Sequence, residues 1–255
     1  MKKAAIYGVD LSKWQGLVEF QELRRNEDLH FAIIKCTEGV GYTDPLFFQN
    51  WERLINVDQK FIRGAYHFAR PDTMGGEKDG VDEALSFCES LKKGGHYGSG
   101  CLPPVIDFEK YTDFGQQRNK AFLFAFRKTV QDQLGRDIMV YTGKNVWYYV
   151  TGNWAGFTDC PLWIAQPRNI FKGQSVDMGN LPWKSWTFHQ FSLGRTDRTD
   201  YRYWLKHKGV LQGIRAHWCD VNLFSGSLED LQELAQMPLS SRTAQENEKK
   251  ACLPD

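Results

Sequence analysis

Nowhere in the 255-residue chain do about 18 apolar residues run together, the length a membrane-spanning helix needs. Charge of one sign is also missing. Lys and Arg number 32 against 31 for Asp and Glu, for a net charge of +1, and the pI is near 7.6. A partner such as nucleic acid or anionic lipid rewards a strong basic excess, so neither is expected. Cysteines 36, 88, 101, 160, 219 and 252 are scattered without a Cys-x-x-Cys pair. A chain this long needs no staples, and the expectation is reduced, buried thiols, with a Cys88–Cys101 bridge as the alternative. The segment Met1–Asp10 starts basic but has no h-region of about 7 to 15 apolar residues, so no Sec signal is expected in it. Internal repeats and low-complexity tracts are absent too.

What remains is an ordinary globular composition, 42% hydrophobic and 14% aromatic. At about 150 residues per domain the length allows one or two domains, and barrels commonly reach about 250 residues as one unit. Short β-branched or aromatic runs alternate with longer amphipathic stretches, the pattern of βα units around a parallel sheet. Eight strands are expected, at Ala4–Val9, His30–Lys35, Phe61–Phe68, Pro104–Glu109, Ile138–Thr142, Leu162–Ala165, Ser185–Phe191 and Ala216–Val221. The clearest helix lies between the fourth and fifth. Asp113 and Gln116 have capping-box spacing, Leu123, Phe126, Val130 and Leu134 share a face, and Gly135 stops it. Helices are also expected at Pro45–Val57 and Glu77–Leu91, and Leu228, Leu231 and Leu234 suit a last one. The fold class is therefore α/β, a single modified TIM-like barrel of eight strands over residues 1–237. Residues 238–255 have no apolar period and read as a polar, solvated tail.

Asp10, Glu38, His67, Asp107, Glu109, Tyr141, Gln166, Gln190 and Asp220 all fall at or just past the expected strand ends, where a parallel barrel builds its active site. Alternation in Val105-Ile106-Asp107-Phe108-Glu109 sends Val105, Asp107 and Glu109 to one face and Ile106 and Phe108 to the other. The two acids' Cα atoms would stand about 7 Å apart. Crowded carboxylates repel, so one holds its proton to higher pH and the site offers an acid beside an anion. First and last strands of a closed barrel are neighbours, which brings Asp10 and Asp220 to the same mouth.

Six ordered blocks carry a family resemblance. They are Gly8-Val-Asp-Leu-Ser-Lys-Trp-Gln-Gly16, Phe31-Ala-Ile-Ile-Lys-Cys-Thr-Glu-Gly39, Gly64-Ala-Tyr-His-Phe68, Val105-Ile-Asp-Phe-Glu109, Leu162-Trp-Ile-Ala165 and Asp220-Val-Asn-Leu-Phe224. Together they resemble the glycoside hydrolase family 25 lysozymes, the Chalaropsis-type muramidases, across residues 6–226. The resemblance implies a modified βα barrel that hydrolyses the β-1,4 bond between N-acetylmuramic acid and N-acetylglucosamine in peptidoglycan. Carried over by motif position, Glu109 is the general acid and then base, and Asp107 holds the substrate's 2-acetamido group or the developing cation. Asp10 and Asp220 complete an acidic floor. Net retention is implied, with either the acetamido oxygen or a carboxylate as nucleophile.

Trp14, Tyr66, Tyr141, Trp147 and Trp186 lie near expected strand ends, where flat rings can stack on sugars; core packing is the competing reading for Trp. Gln15, His67, Gln190 and Asn222 join Trp14, Tyr66, Tyr141 and Trp147 as candidate substrate contacts, with core satisfaction as the alternative for His67. No metal or other cofactor is expected, since neither His-x-x-His nor Asp/His ligand spacing occurs and the chemistry requires none. The expected partner is peptidoglycan glycan, met by a monomer. The chain departs from the family pattern at Gln166-Pro167, at His189 and at Trp218-Cys219, which bears on subsite shape. Such a substrate with no Sec signal fits a bacteriolytic endolysin freed through a holin, or an effector exported by a dedicated machine, acting on the wall after synthesis in the cytoplasm. A chitinase-like barrel glycosidase and a non-catalytic glycan-binding module are the rival readings.

Overall fold

The computed structural model describes residues 5–58, 60–71, 76–95, 97–168, 170, 173–192, 212–216 and 218–236. The tail expected at 238–255 lies outside the described residues, as do residues 193–211.

Eight strands close into a barrel. In chain order they are β1 (Ile6–Leu11), β2 (Leu29–Glu38), β4 (Ile62–Phe68), β5 (Val105–Asp107), β6 (Met139–Thr142), β7 (Leu162–Ala165), β8 (Phe188–Ser192) and β9 (Asp220–Phe224), while the two-residue β3 (Tyr42–Thr43) hairpins onto the end of β2. Going round, the order is β1-β2-β4-β5-β6-β7-β8-β9 and back to β1. Seven strands run parallel. β9 is antiparallel to both β8 and β1, which corrects the expected wholly parallel sheet. It also corrects the last strand's bounds: the expected strand was Ala216–Val221, whereas the strand runs Asp220–Phe224, with Asp220 at its start and not near its end.

Strand parity sorts the core into two layers. Ile6, Phe31, Ile33, Val105, Met139, Trp163, Phe188 and Phe224 fill the barrel. Val9, Leu11, Ala32, Ile34, Ala65, Ile106, Phe108, Val140, Ile164 and Val221 face the outer helices. These are alternate residues of the same strands, as period-two geometry requires. Ring volume is accommodated by Gly8, where a Cβ would stand 2.3 Å from the Phe31 ring.

The helices are α1 (Phe20–Arg24), α2 (Phe47–Ile55), α3 (Glu77–Gly94), α4 (Gln116–Leu134), α5 (Lys144–Thr151) and α6 (Leu228–Gln236). The expected capping box at Asp113 does not form. Gly115 enters α4 at φ 81° without a side-chain cap, and the chain leaves through left-handed Gly135, whose N–H donates to the Gln131 carbonyl at 2.9 Å. α6 stoppers the barrel floor: Leu231, Leu234 and Ala235 join the interior cluster beside Ile62 and Phe224. Cys36, Cys88, Cys101, Cys160 and Cys219 are buried thiols, so the alternative Cys88–Cys101 bridge is absent. No helix among the described residues is long and apolar enough to cross a membrane.

Candidate active site

Parity and strand direction together bring four carboxylates to one opening. Asp10 follows Ile6 and Gly8 on the inward face of β1, and Asp107 follows Val105 on β5. Asp220 pairs directly with Asp10 across the β1–β9 ladder. Glu109 lies two residues past β5, on a segment tied to β6 by Phe108 N–H donating to the Tyr141 carbonyl at 2.9 Å and by Thr142 Oγ1 donating to the Phe108 carbonyl at 2.8 Å. All four acids line a cavity of about 300 Å³ at the barrel mouth. Tyr66, Tyr141, Gln190, Trp14 and Gln15 line it too.

A hydrogen-bonded chain fixes the floor. Asn222 Nδ2 and Gln190 Nε2 both donate to Asp10 Oδ2, at 2.8 and 3.0 Å. Tyr141 OH donates to Gln190 Oε1 at 2.8 Å and approaches Glu109 Oε2 at 3.4 Å. Trp163 Nε1 donates to Asn222 Oδ1 at 2.7 Å, orienting the amide whose other end serves Asp10. Asp107 Oδ1, by contrast, is buried and has no hydrogen-bond partner among the described residues. A buried acceptor left open costs stability and marks a site where a ligand group can bind.

Asp10, Asp107 and Glu109 are shifted toward their protonated forms. Burial lifts Asp10 to about 6, against the lowering effect of the two amide donors and with help from the Glu109 charge. Burial, then Glu109, pushes Asp107 well above the carboxylate range, with Lys35 pulling the other way. Glu109 is also raised, by burial, while Tyr141 and Lys35 oppose the shift. Tyr66 and Tyr141 are raised by burial and by the surrounding acids, so both hydroxyls stay protonated. The mouth therefore holds proton donors next to carboxyls whose ionisation is contested, the arrangement acid–base chemistry needs.

Two expected substrate contacts stand elsewhere. His67 alternates with Tyr66 and so faces outward from β4; it is fully buried, with Nδ1 2.8 Å from Thr37 Oγ1 and Nε2 2.7 Å from Glu83 Oε2. Trp147 is fully buried on the barrel-facing side of α5 against Trp183, with Nε1 donating to the Trp154 carbonyl at 3.1 Å. Both are corrections: neither lines the cavity. Asn222, a third expected substrate contact, does not line the cavity either and acts one layer down, through Asp10. Gln15 lies at the cavity, but its Oε1 accepts the Ser12 N–H at 2.8 Å and caps the β1 loop. Trp186 packs against the outer core beside His189. Gln166 holds its own loop, accepting from Asp177 N at 2.7 Å. Glu38 pairs with Lys35 and Arg70 at the rim.

Sequence reading missed Lys35 and Trp163 as cavity residues. Period-two counting from Phe31 and Ile33 places Lys35 inward, so the signal was present in β2. Trp163 likewise alternates with outward Leu162 and Ile164. Trp218, noted only as a departure from the family pattern, also lines the cavity. Among the described residues no group of three or more His, Cys, Asp or Glu side chains is placed to hold a metal ion.

The sequence profile of the glycosyl hydrolases family 25 matches residues 9–197. The chain is 32% identical over 169 residues to the N,O-diacetylmuramidase of Chalaropsis sp, covering 63% of this chain and 77% of that one. It is 29% identical over 196 residues to Lysozyme M1 of Streptomyces globisporus, covering 74% and 62% respectively. The crystal structure of the bacterial lysozyme from Streptomyces coelicolor superposes with a TM-score of 0.73 at 28% identity, over 90% of this chain and 96% of that one. With most of the barrel, and three of the four mouth acids, inside the matched span, the chain belongs to glycoside hydrolase family 25 and is an enzyme of the lysozyme type.

Proposed function

We propose that the protein cleaves the β-1,4 bond between N-acetylmuramic acid and N-acetylglucosamine in peptidoglycan, with net retention at the anomeric carbon. The observation that carries this reading is the convergence of Asp10, Asp107, Glu109 and Asp220 on one cavity. Glu109 sits at the cavity rim with its carboxyl raised from its ordinary value by burial, so it protonates the leaving glycosidic oxygen and then, as carboxylate, activates water. Asp107 offers its open Oδ1 to the 2-acetamido N–H of the sugar being attacked, which orients the acetamido oxygen toward the anomeric carbon. Asp10, held by Asn222 and Gln190, supplies negative potential beneath the developing oxocarbenium ion together with Asp220. Trp14, Tyr66 and Tyr141 give the sugars aromatic walls. Such a substrate puts the site of action at the cell wall. We read residues 1–237 as the catalytic unit and 238–255 as a polar extension.

Borohydride reduction of digested peptidoglycan followed by mass spectrometry tests the bond assignment. Reduced N-acetylmuramic acid at the new ends is expected. Reduced N-acetylglucosamine marks a glucosaminidase, new amino or carboxyl ends mark a peptidase or amidase, and turnover of chitin in place of peptidoglycan marks the chitinase-like alternative. Proton NMR of the first-formed anomer reads the stereochemistry, and an inverted product removes the retaining scheme.

A further inference from the structure

Three large aromatic side chains stand together on the surface outside the cavity. Tyr111, Tyr148 and Tyr149 are 57%, 55% and 64% exposed. The Tyr111 and Tyr149 ring centroids are 6.0 Å apart and those of Tyr148 and Tyr149 5.4 Å. Single exposed aromatics are common, but a contiguous set marks an interaction surface.

Its place in the barrel indicates which one. Tyr111 follows Glu109 by two residues, so the patch begins where the catalytic mouth ends. α5, which carries the other two tyrosines, follows β6, and Gln116 Nε2 at the start of α4 donates to the Tyr149 carbonyl at 3.4 Å, joining α5 to the same rim. Around the closed barrel β6 lies four strands from β1 in either direction. The loop after β1 carries Trp14, 64% exposed at the cavity edge. A linear chain entering over Trp14 and crossing the acids leaves past Glu109, the lining residue from which the chain runs on to Tyr111. Tyrosine suits that position, because its ring face packs on the C–H face of a pyranose while its hydroxyl stays in water.

We propose that Tyr111 and Tyr149, flanked by Tyr148, form a remote sugar-stacking site for the glycan strand being cut, on the side of the mouth opposite Trp14. This rests on the glycan-cleaving function proposed above. The occupant is the continuation of the same strand beyond the sugars held at the acids, and the consequence is a preference for long strands over short ones.

The test compares kcat/KM on peptide-free peptidoglycan glycans of two lengths, one filling only the cavity and one several disaccharides longer. The wild type favours the long glycan, and Tyr111→Ala/Tyr149→Ala lowers the long-to-short ratio by about 3- to 10-fold, the scale of one lost aromatic stacking contact. Tyr111→Phe/Tyr149→Phe keeps the ring faces and keeps the ratio. If the alanine pair does not fold, the two single alanine variants provide the same comparison. An unchanged ratio in the alanine variants overturns the proposal, as does a loss of equal size on both lengths. Sedimentation that finds a wild-type dimer dissolved by the alanine pair assigns the patch to a second copy of the chain and overturns it as well. A wild type that cleaves neither glycan fails earlier, at the muramidase reading, and takes this site with it.

Discussion

Asp10 and Asp220 face each other as paired residues on antiparallel strands β1 and β9. That pairing decides where the last acid goes. Had β9 run parallel to β1, its first residue would sit at the barrel floor beside Ile6. Because the strand is reversed, its beginning lies at the mouth and its end, Phe224, packs into the floor under α6. Alternation then places Asn222, two residues on, inside the barrel where its amide reaches Asp10. One reversal thus supplies both a carboxylate and the donor that holds a second carboxylate.

Replacing Glu109 by Gln removes the only mouth acid that stands at the rim beyond a strand end, while keeping its shape. Turnover of soluble glycan should fall at least about 100-fold, because general acid catalysis contributes on the order of 10² to 10⁴. Circular dichroism should remain that of the wild type. Near wild-type lysis of purified walls would take Glu109 out of the mechanism.

Asn222→Ala should move the acid limb of the kcat/KM profile to higher pH. The Asn222 N–H bond favours the ionised form of Asp10, whose carboxyl already titrates at about 6. Without that donor the proton binds more tightly, so a rate that needs the Asp10 anion is lost earlier as the pH falls. An acid limb that stays in place assigns it to another group.

Much of this site can be read from sequence wherever spacing alone sets position. Asp107 and Glu109 reach the same cavity because they are two residues apart, the first ending β5 and the second just beyond it, and Val105, Ile106 and Phe108 divide between the two core layers accordingly. The direction of β9 is another matter: period-two alternation is the same read either way, so the sequence of Asp220–Phe224 carries no sign of the reversal. His67 takes the core role that the sequence left open beside substrate contact: it stands near a strand end, but counting from Tyr66 puts it outside the barrel, against Thr37 and Glu83. Trp147 follows a strand closely, but five residues into the next segment it already belongs to a helix whose buried face holds Val146, Val150 and Thr151. The tyrosine cluster joins the loop after Glu109 to helix α5, which only the closed barrel brings together.

Asp10→Asn should stabilise the fold at neutral pH while abolishing activity. The folded-state carboxyl is raised from its ordinary value of 3.8 to about 6, so between those values the folded protein binds more protons than the unfolded chain. The contribution favouring the fold is therefore complete at low pH and is lost as the pH rises through about 6, where a buried anion remains. An Asn does not titrate, and its Oδ1 can accept from Asn222 and Gln190 as the carboxylate did. The variant's melting temperature relative to wild type should climb between pH 4 and pH 8, by an amount worth about 3 kcal/mol at most. A difference that is flat with pH means that Asp10 is not the group carrying the cost.

Gly8→Ala should destabilise the barrel without touching any group at the mouth. The added Cβ would stand 2.3 Å from Phe31 Cδ2 and Cε2, in an interior where that ring also packs edge-on to Phe188 at 5.1 Å. Neither strand can retreat, since β1 is bonded to β2 on one side and β9 on the other. Overpacking of this kind costs about 1 to 3 kcal/mol, a fall in melting temperature of roughly 3 to 9 °C for a chain of this size. The companion variant Phe31→Leu makes room at the same spot, so in its background Gly8→Ala should cost measurably less, giving a coupling energy of about 1 kcal/mol between the two positions. Additive losses in the double variant would mean that the alanine methyl meets something other than the Phe31 ring.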